Sequence, residues 1–245
     1  MKRFDTFRDV LILCPEDAGA DVLVTAVDSC GAIGEKPGDV VRAAPECAAE
    51  HTARVALLEV ASTGAKLVFC TLNVCNGPAD GERMLAGVQK ALPHTPVVMS
   101  TEKNMPTCMS AFGVSVTGIC KPEEMRLGHA KAGDQLFCAG VPLVGEEVLS
   151  PRAACFGLAH LDTLFKDAHV HAVIPCGSQG IAKEAYVIAS ESALIAILDN
   201  ESRLDLKKSA GPATCAVFAA DRPTGHDFKL GLPVACIGRL AAVKD

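Results

Sequence analysis

Two β-rich runs come before the first helical pattern of this chain, and strand-like and helical segments then alternate. Residues 9–14 (DVLILC) and 22–28 (VLVTAVD) are rich in β-branched and apolar residues, as expected for buried strands. Helical spacing follows over residues 45–63, from a proline that suits a first helical turn to Gly64, a typical stop. Strands that come before and between helices predict sheets with helices packed on them, which is an α+β fold.

A polar stretch at residues 121–126 divides this pattern into two halves. We predict an N-terminal domain at 1–125 and a C-terminal α+β domain at 126–245, each of ordinary domain size. The remaining predicted elements are strands at 66–75, 95–101, 112–120, 135–144, 170–175, 193–199, 213–220 and 233–238, and helices at 80–92, 152–166 and 179–190.

Composition excludes several classes of function. Of the 245 residues, 49% are hydrophobic and 21% charged, and no apolar run approaches the ~18 residues of a membrane span. The net charge is −6 and there is no basic block, so we expect neither nucleic acid nor a membrane as a partner. Residues 1–8 lack the apolar core of a signal peptide, which predicts a cytoplasmic protein.

The twelve cysteines are scattered singly, without a C-x-x-C pair, so neither a zinc ribbon nor a thioredoxin-type dithiol is indicated. Most lie in apolar stretches, where free cysteine packs as a small hydrophobe. A thiol or metal sensor built on these cysteines remains the third-ranked hypothesis for the function.

Four carboxylates lie at or near the ends of predicted elements: Asp9, Asp28, Glu59 and Glu102. Carboxylates that converge at strand ends can hold hydrated magnesium against the phosphates of a nucleotide, because magnesium prefers oxygen ligands in octahedral geometry. Each carboxylate taken alone is also explained as a solvated strand end or a helix-surface charge.

Six short motifs occur along the chain: VTAVDS at 24–29, ALLEVASTGA at 56–65, STEKNMP at 100–106, FGVSVTG at 112–118, KAGD at 131–134 and IGR at 237–239. Their sequences and order resemble the aminoimidazole ribonucleotide synthetase superfamily. That superfamily includes selenophosphate synthetase, thiamine-monophosphate kinase and the hydrogenase maturation dehydratase. The resemblance covers nearly the whole chain.

The resemblance implies a two-domain fold whose N-terminal domain pairs with a second subunit in a shared β-barrel, and therefore a homodimer. It implies ATP and Mg²⁺ as cofactors, with Asp28, Glu59 and Glu102 at metal or nucleotide positions and Asp9 as a weaker match. The implied activity is phosphoryl transfer from ATP to a small molecule; no catalytic residue is assigned. Residues 140–148 (GVPLVGEEV) resemble the second-domain opening of α-ribazole kinases, which names one candidate activity.

The chain also departs from the family pattern. Arg8 stands where the first of two tandem aspartates is expected, Leu58 replaces the asparagine before Glu59, and the loop at 176–180 lacks the family's metal-binding aspartate. Fewer hard oxygen ligands weaken the binding of magnesium and nucleotide. The alternative is therefore a non-catalytic member that binds a metabolite or partner protein through the same cleft.

Other residues admit two interpretations each. His169 and His171 alternate along one predicted strand and therefore share a face. They are either ordinary packed side chains or a pair of metal ligands. Residues 177–180 (GSQG) form either an ordinary turn into a helix or an anion site made of backbone N–H groups. Asn73 and Asn76 follow a strand, where they serve a turn or contact a substrate.

Overall fold

The computed structural model describes the backbone of residues 2–4 and all of residues 8–17, 19–150, 153–199 and 201–243. The chain divides into two compact units, Met1–Met125 and Arg126–Asp245. Each unit contains one main sheet, and helices pack on it. No helix of the described residues is both long enough and apolar enough to cross a membrane.

The first unit contains a six-stranded sheet and two helices. Its strands are β1 (Lys2–Phe4), β2 (Val10–Cys14), β3 (Val22–Gly31), β6 (Lys66–Val74), β7 (Val97–Thr101) and β8 (Ala111–Cys120). They lie in the order β1-β2-β3-β8-β6-β7, and every neighbouring pair is antiparallel except the parallel pair β6 and β7. Two short strands, β4 (Ile33–Gly34) and β5 (Val41–Arg42), pair in parallel within the loop after β3.

Helices α1 (Pro45–Ser62) and α2 (Pro78–Ala91) each begin with a proline in the first turn, where the missing N–H costs no hydrogen bond. Alternate residues of β3 and β6 are buried beneath them, as strand periodicity requires. At Gly118 a Cβ atom would lie 2.7 Å from Val60 Cγ1 and 2.8 Å from the Lys66 carbonyl oxygen. The absence of a side chain at Gly118 therefore allows α1 to approach β8 closely.

The other face of this sheet carries exposed apolar side chains. Val27 and Val98 are each 69% exposed, and Leu11, Val68 and Phe69 are about 40% exposed. Within the described residues the sheet has two open ends, at β1 and β7, and no closed barrel is formed. The predicted α+β class is confirmed, whereas the shared barrel requires a second chain and stays a prediction.

The second unit contains a five-stranded antiparallel sheet and two helices. Its strands are β9 (Gln135–Gly140), β10 (Val170–Pro175), β11 (Leu194–Leu198), β12 (Cys215–Ala220) and β13 (Val234–Ala242), in the order β10-β12-β9-β13-β11. The helices are α3 (Leu158–Lys166) and α4 (Gly180–Glu191), and α4 covers one face of the sheet over an apolar core. Short 3-10 helices lie at Pro122–Glu124 and Gly145–Leu149.

Two predicted elements of the second unit are several residues shorter in the structure. The predicted strand at 135–144 ends at Gly140, whose φ of +89° turns the chain out of the sheet. A Cβ atom at this position would lie 2.8 Å from the Thr214 carbonyl oxygen. The predicted helix at 152–166 begins only at Leu158, because Gly157 caps it in an extended conformation and its N–H donates to His160 Nδ1 at 2.9 Å. Residue 152 itself lies outside the described residues.

Candidate functional site

Three strands of the first sheet end at the same edge. Strands β3 and β6 are both antiparallel to β8 and so run in the same direction, and β7 is parallel to β6. Strand β2 runs the other way and starts at this edge, because Val10 pairs with Ala26. The edge therefore carries Asp9 just before β2, Asp28 near the end of β3 and Glu102 just after β7.

Asp28 is a half-buried carboxylate on the helix-covered face of β3. It pairs with Val114 of β8 and alternates in phase with the buried Val24 and Ala26. Burial raises the pKa of Asp28 to about 6, and a hydrogen bond from the Ser29 backbone only partly opposes this effect. No cation of the described residues contributes to this pKa. A bound cation would therefore stabilise the ionised form of Asp28.

Cys30 lies two residues beyond Asp28 and faces the same side of the sheet. Burial raises the pKa of its thiol to about 11, against a hydrogen bond with the side chain of Thr52 in α1. The contact with Thr52 shows that the first half of α1 lies over this end of β3.

Glu102 is partly exposed and is held by its own loop. Its N–H donates to the Val74 carbonyl oxygen at 2.9 Å, and its Oε1 accepts hydrogen bonds from the N–H groups of Asn104 at 2.6 Å and Met105 at 3.2 Å. These backbone hydrogen bonds lower the pKa of Glu102. The carboxylate therefore stays ionised at neutral pH in a fixed position after β7.

Two adjoining cavities open beside Glu102, with volumes of about 520 and 350 Å³. Both volumes lie in the range of sites for small molecules. The cavities share Ser100, Thr101 and Glu102. The larger is also lined by Pro78, Glu82, Met99, Lys103 and Asn104, and the smaller by Asn73, Val74, Cys75, Met105 and Thr107. Sequence reasoning selected Glu102 and Asn73 here but missed the hydroxyls of Ser100 and Thr101, although both stand in the STEKNMP motif.

Asp9 is exposed, whereas its neighbour Arg8 is buried, with 6% of its surface accessible. Arg8 Nη1 donates a hydrogen bond to Ser62 Oγ at 3.0 Å, in the last turn of α1. The two residues at the predicted tandem-aspartate position therefore differ in both charge and exposure. Asp9 alone of the pair is available to a ligand at the edge.

Glu59 is buried, with 8% of its surface accessible, and it lies in the last turn of α1. The next residue, Val60, lies over Gly118, which pairs with Val24 of β3. Val24 is four residues before Asp28, a distance of about 13 Å along a strand. Glu59 is thus set back from the edge that carries Asp28 and Glu102.

No three His, Cys, Asp or Glu side chains of the described residues form a group that could hold a metal ion. The four predicted carboxylates therefore do not make a complete cage by themselves. Magnesium in nucleotide sites commonly takes one or two carboxylates and obtains its other ligands from phosphates and water. The half-buried Asp28 and the exposed Asp9 have the donor chemistry for that kind of site.

The histidine pair of the second unit contacts carboxylates. His171 Nδ1 lies 2.8 Å from Asp134 Oδ2, and Lys131 Nζ lies 3.2 Å from His171 Nε2. His169 Nδ1 is 3.8 Å from Asp221 Oδ2. Asp134 is buried and also accepts the Lys131 N–H at 2.8 Å, so the KAGD segment ties the turn before β9 to β10. These contacts favour a structural role for the histidines.

The loop at 177–180 is packed against another segment of its own unit. A Cβ at Gly180, where φ is +81°, would lie 2.8 Å from the Lys208 carbonyl oxygen. The Ala182 N–H in the first turn of α4 donates to the Leu206 carbonyl oxygen at 2.8 Å. These contacts favour the interpretation as a tight turn, because one N–H that an anion would need is already bonded.

The side chain of Asn76 is held by hydrogen bonds within the unit, whereas Asn73 faces a cavity. The Asn76 amide donates to Thr107 Oγ1 and to the Met109 carbonyl oxygen, and its oxygen accepts the Ala111 N–H at 2.9 Å. Asn73 is exposed and lines the smaller cavity.

The fold of this chain is similar to that of solved thiamine-monophosphate kinases and of a hydrogenase maturation protein. No family model matches the chain, and no curated protein matches it. Solved structures do match, at sequence identities that show the fold alone. The resemblance to this superfamily is therefore confirmed at the level of structure.

Three of these structures show the extent of the similarity. Thiamine-monophosphate kinase from Stenotrophomonas maltophilia K279a is 19% identical, with a TM-score of 0.63 over 95% of this chain and 89% of that chain. AaThiL in complex with AMPPCP and TMP is 15% identical, with a TM-score of 0.66 and coverages of 97% and 86%. The hydrogenase maturation protein HypE is 18% identical, with a TM-score of 0.61 and coverages of 90% and 80%.

Proposed function

We propose that this protein is an ATP-dependent enzyme that transfers a phosphoryl group to an oxygen of a small molecule. The observation that carries the proposal is the edge of the first sheet, where Asp9, Asp28 and Glu102 lie at one end and Glu102 lines two cavities. The kinase AaThiL, which shares the fold, is complexed with AMPPCP and TMP. A nucleotide and a small substrate are therefore the natural ligands to test here.

Magnesium fits this edge as a partner of the nucleotide. The carboxylate of Asp28 has been desolvated without a compensating cation, so it gains most from a divalent ion. Asp9 comes just before the neighbouring strand β2, whereas Glu102 follows β7, three strand spacings of about 4.8 Å from β3. When bound, magnesium would neutralise charge on the phosphates. We keep Glu59 as a proposed ligand of lower rank, because it is set back from the edge.

The residues of this chain would act mainly by positioning. Ser100 and Thr101 offer hydroxyl groups to a ligand in either cavity, and Asn73 offers an amide to a ligand in the smaller one. In the transfer, the acceptor oxygen forms a bond to the γ-phosphorus of ATP, the bond from that phosphorus to the β–γ bridging oxygen breaks, and ADP leaves. The acceptor hydroxyl loses its proton to solvent. Such reactions are catalysed by alignment and by charge neutralisation.

The first experiment measures thermal stability with a non-hydrolysable ATP analogue and magnesium. A ligand at about 100 times its dissociation constant adds ~2.7 kcal/mol to the free energy of unfolding. Asp28→Asn should abolish the magnesium-dependent part of the shift, and Asp162→Asn, on the exposed surface of α3, should leave it intact. No shift with any nucleotide would rule out the kinase.

α-Ribazole is the substrate we propose to test first, on the resemblance of residues 140–148. The assay measures ADP release with α-ribazole against thiamine monophosphate, each with ATP and magnesium. If the protein binds the nucleotide but turns over neither compound, the proposed ATP site stands and both substrates are rejected.

A non-catalytic binding protein is the second candidate, and Arg8 favours it. A buried guanidinium beside Asp9 replaces a carboxylate at the position where the family pattern has one, which lowers the charge available to magnesium. This candidate predicts a nucleotide-induced or metabolite-induced thermal shift without ADP release for any acceptor.

We also propose a homodimer that is formed through the exposed face of the first sheet. Five apolar side chains on this face are about 40 to 70% exposed, and burial of apolar area at about 25 cal/mol per Å² favours association. A second copy of the chain with its sheet facing this one would cover these side chains, and pairing between the edge strands of the two sheets would close the predicted barrel.

A further inference from the structure

Three cysteines of the second unit lie against one another in its core. Cys138 is in β9, Cys176 directly follows β10 and Cys215 is the first residue of β12. All three are fully buried in the apolar core beneath α4. The interaction of each thiol with the other two shifts its pKa. We call these residues the thiol cluster.

The strand register places Cys176 directly opposite Cys215. Pro175 pairs with Ala216, and one residue further the Cys176 N–H donates to the Cys215 carbonyl oxygen at 2.9 Å. Opposite residues in an antiparallel pair have Cα atoms about 4.5 to 5.5 Å apart, which lies within the range of about 4.4 to 6.8 Å found for disulfides. The two side chains also share the α4 face.

Cys138 has a different position in the thiol cluster. It pairs with Val217, two residues along β12 from Cys215. Diagonal neighbours of this kind have Cα atoms about 7 to 8 Å apart, which exceeds the usual disulfide range. The backbone geometry thus selects Cys176 and Cys215 as the pair that can be bridged, with Cys138 as a third thiol nearby.

The electrostatics of the cluster distinguish one sulfur from the others. Hydrogen bonds from Cys138 and then from Cys176 lower the pKa of Cys215 to about 5, whereas burial raises the pKa of Cys176. Ionisation of one thiol also opposes ionisation of its neighbours. The strand register therefore places two thiols side by side, as a nucleophilic and a resolving cysteine require.

We propose that Cys176 and Cys215 form a reversible intramolecular disulfide under oxidation by a hydroperoxide, and that Cys138 positions the Cys215 sulfur. The Cys215 thiolate attacks the terminal oxygen of the hydroperoxide, the O–O bond breaks, and the leaving oxygen takes a proton. The resulting sulfenic acid is attacked by the Cys176 sulfur, which forms the S–S bond and releases water. Two thiols are oxidised by two electrons and the peroxide is reduced.

The bridge would connect the end of β10 to the start of β12. Gly177 follows Cys176 directly and its carbonyl oxygen accepts the Ala210 N–H at 3.1 Å, so the turn into α4 would be fixed at the same time. Because the three sulfurs have no exposed surface, the oxidant must reach them through local opening of the unit. Oxidation should therefore be slower than at the exposed Cys75 and Cys108.

The test uses the full chain with Cys75→Ser and Cys108→Ser, which removes the exposed thiols without changing the thiol cluster. The protein is treated with hydrogen peroxide, alkylated under denaturing conditions and digested without reductant. We expect a peptide that links Cys176 to Cys215, a loss of two hydrogens in mass, and full reversal by dithiothreitol. Because the linkage is read on an intact cluster, the result does not depend on whether a cluster variant folds.

Three further variants assign the roles. Cys215→Ser should abolish the linked peptide, Cys138→Ala should slow its formation, and Cys70→Ser, at a buried thiol of the first unit, should have no effect. Circular dichroism confirms that each variant is folded. A linkage of Cys138 to Cys215, or intact thiols at 176 and 215 after the peroxide has oxidised a small thiol standard, would overturn the proposal.

Discussion

Arg8 donates a hydrogen bond from Nη1 to the Ser62 hydroxyl at 3.0 Å, and this contact places a buried guanidinium against the last turn of α1. The last turn of α1 has no basic residue of its own and contains Glu59. The carbonyl groups at a helix C-terminus favour a cation, and a buried carboxylate needs one. Arg8 therefore supplies positive charge at the position where the sequence resemblance expected a carboxylate.

Replacing this arginine should destabilise the first unit. We expect Arg8→Ala to lower the free energy of unfolding by about 2 to 3 kcal/mol, because a buried charge-assisted hydrogen bond is lost. Urea denaturation followed by circular dichroism measures the change. Arg203→Ala, at an exposed position of the second unit, is the control and should change stability by less than about 0.5 kcal/mol. Equal stability of the two variants would contradict a stabilising role for Arg8.

The raised pKa of Asp28 predicts a cost of ionisation in the folded protein. Its pKa rises from the ordinary 3.8 to about 6 by burial, so the folded state binds the proton more tightly than the unfolded state does. The stability contributed by the protonated form is complete below pH 4 and is lost as the pH rises through about 6.

Asp28→Asn should therefore stabilise the ligand-free protein at pH 8, by about 2 kcal/mol, and change little at pH 4. Denaturant midpoints at both pH values measure the difference, with the exposed Asp162→Asn as the matched control. The same substitution should abolish magnesium-dependent nucleotide binding. An unchanged or reduced stability at pH 8 would show that the carboxylate is not desolvated.

His51 predicts a pH dependence of the opposite sign. Burial and then the charge of Arg54 lower its pKa from 6.5 to about 4, and its Nδ1 is buried without a hydrogen-bond partner among the described residues. The folded state holds the neutral imidazole, so this contribution to stability is present above pH 6.5 and is lost as the pH falls toward 4.

We expect His51→Gln to flatten the decrease in stability between pH 6.5 and 4. His129→Gln, at an exposed histidine of the second unit, should leave the pH profile unchanged. The measurement is the free energy of unfolding at half-unit pH steps in urea. A profile of His51→Gln that coincides with the unsubstituted protein would place the acid sensitivity elsewhere.

The homodimer is testable on the exposed sheet face. Val27→Glu and Val98→Glu each put a charge on a side chain that is 69% exposed in the single chain, so the monomer should fold and the dimer should dissociate. Light scattering after size-exclusion chromatography measures the mass. Val40→Glu, at a valine that is 78% exposed in the loop before α1, is the control and should remain dimeric. A monomer for the unsubstituted chain would reject the shared barrel.

Much of the fold could be predicted from local sequence. The helix at 45–63 is observed as Pro45–Ser62, and the strand at 66–75 as Lys66–Val74, because proline, glycine and apolar periodicity act over a few residues. Strand β3 extends to Gly31, three residues beyond the prediction, because pairing with β8 continues through the polar Ser29. Element ends of this kind depend on a partner strand that is distant in sequence.

The candidate carboxylates could also be predicted from the sequence, but their positions relative to one another in space could not. Asp28 and Glu102 share an edge because β3, β6 and β7 run in one direction, whereas Glu59 is set back because α1 returns along the sheet. The thiol cluster shows the same division. Its three cysteines stand singly in the chain, and only the pairing of β9, β10 and β12 brings their sulfurs together. Local propensity determines the elements, and strand order decides which side chains meet.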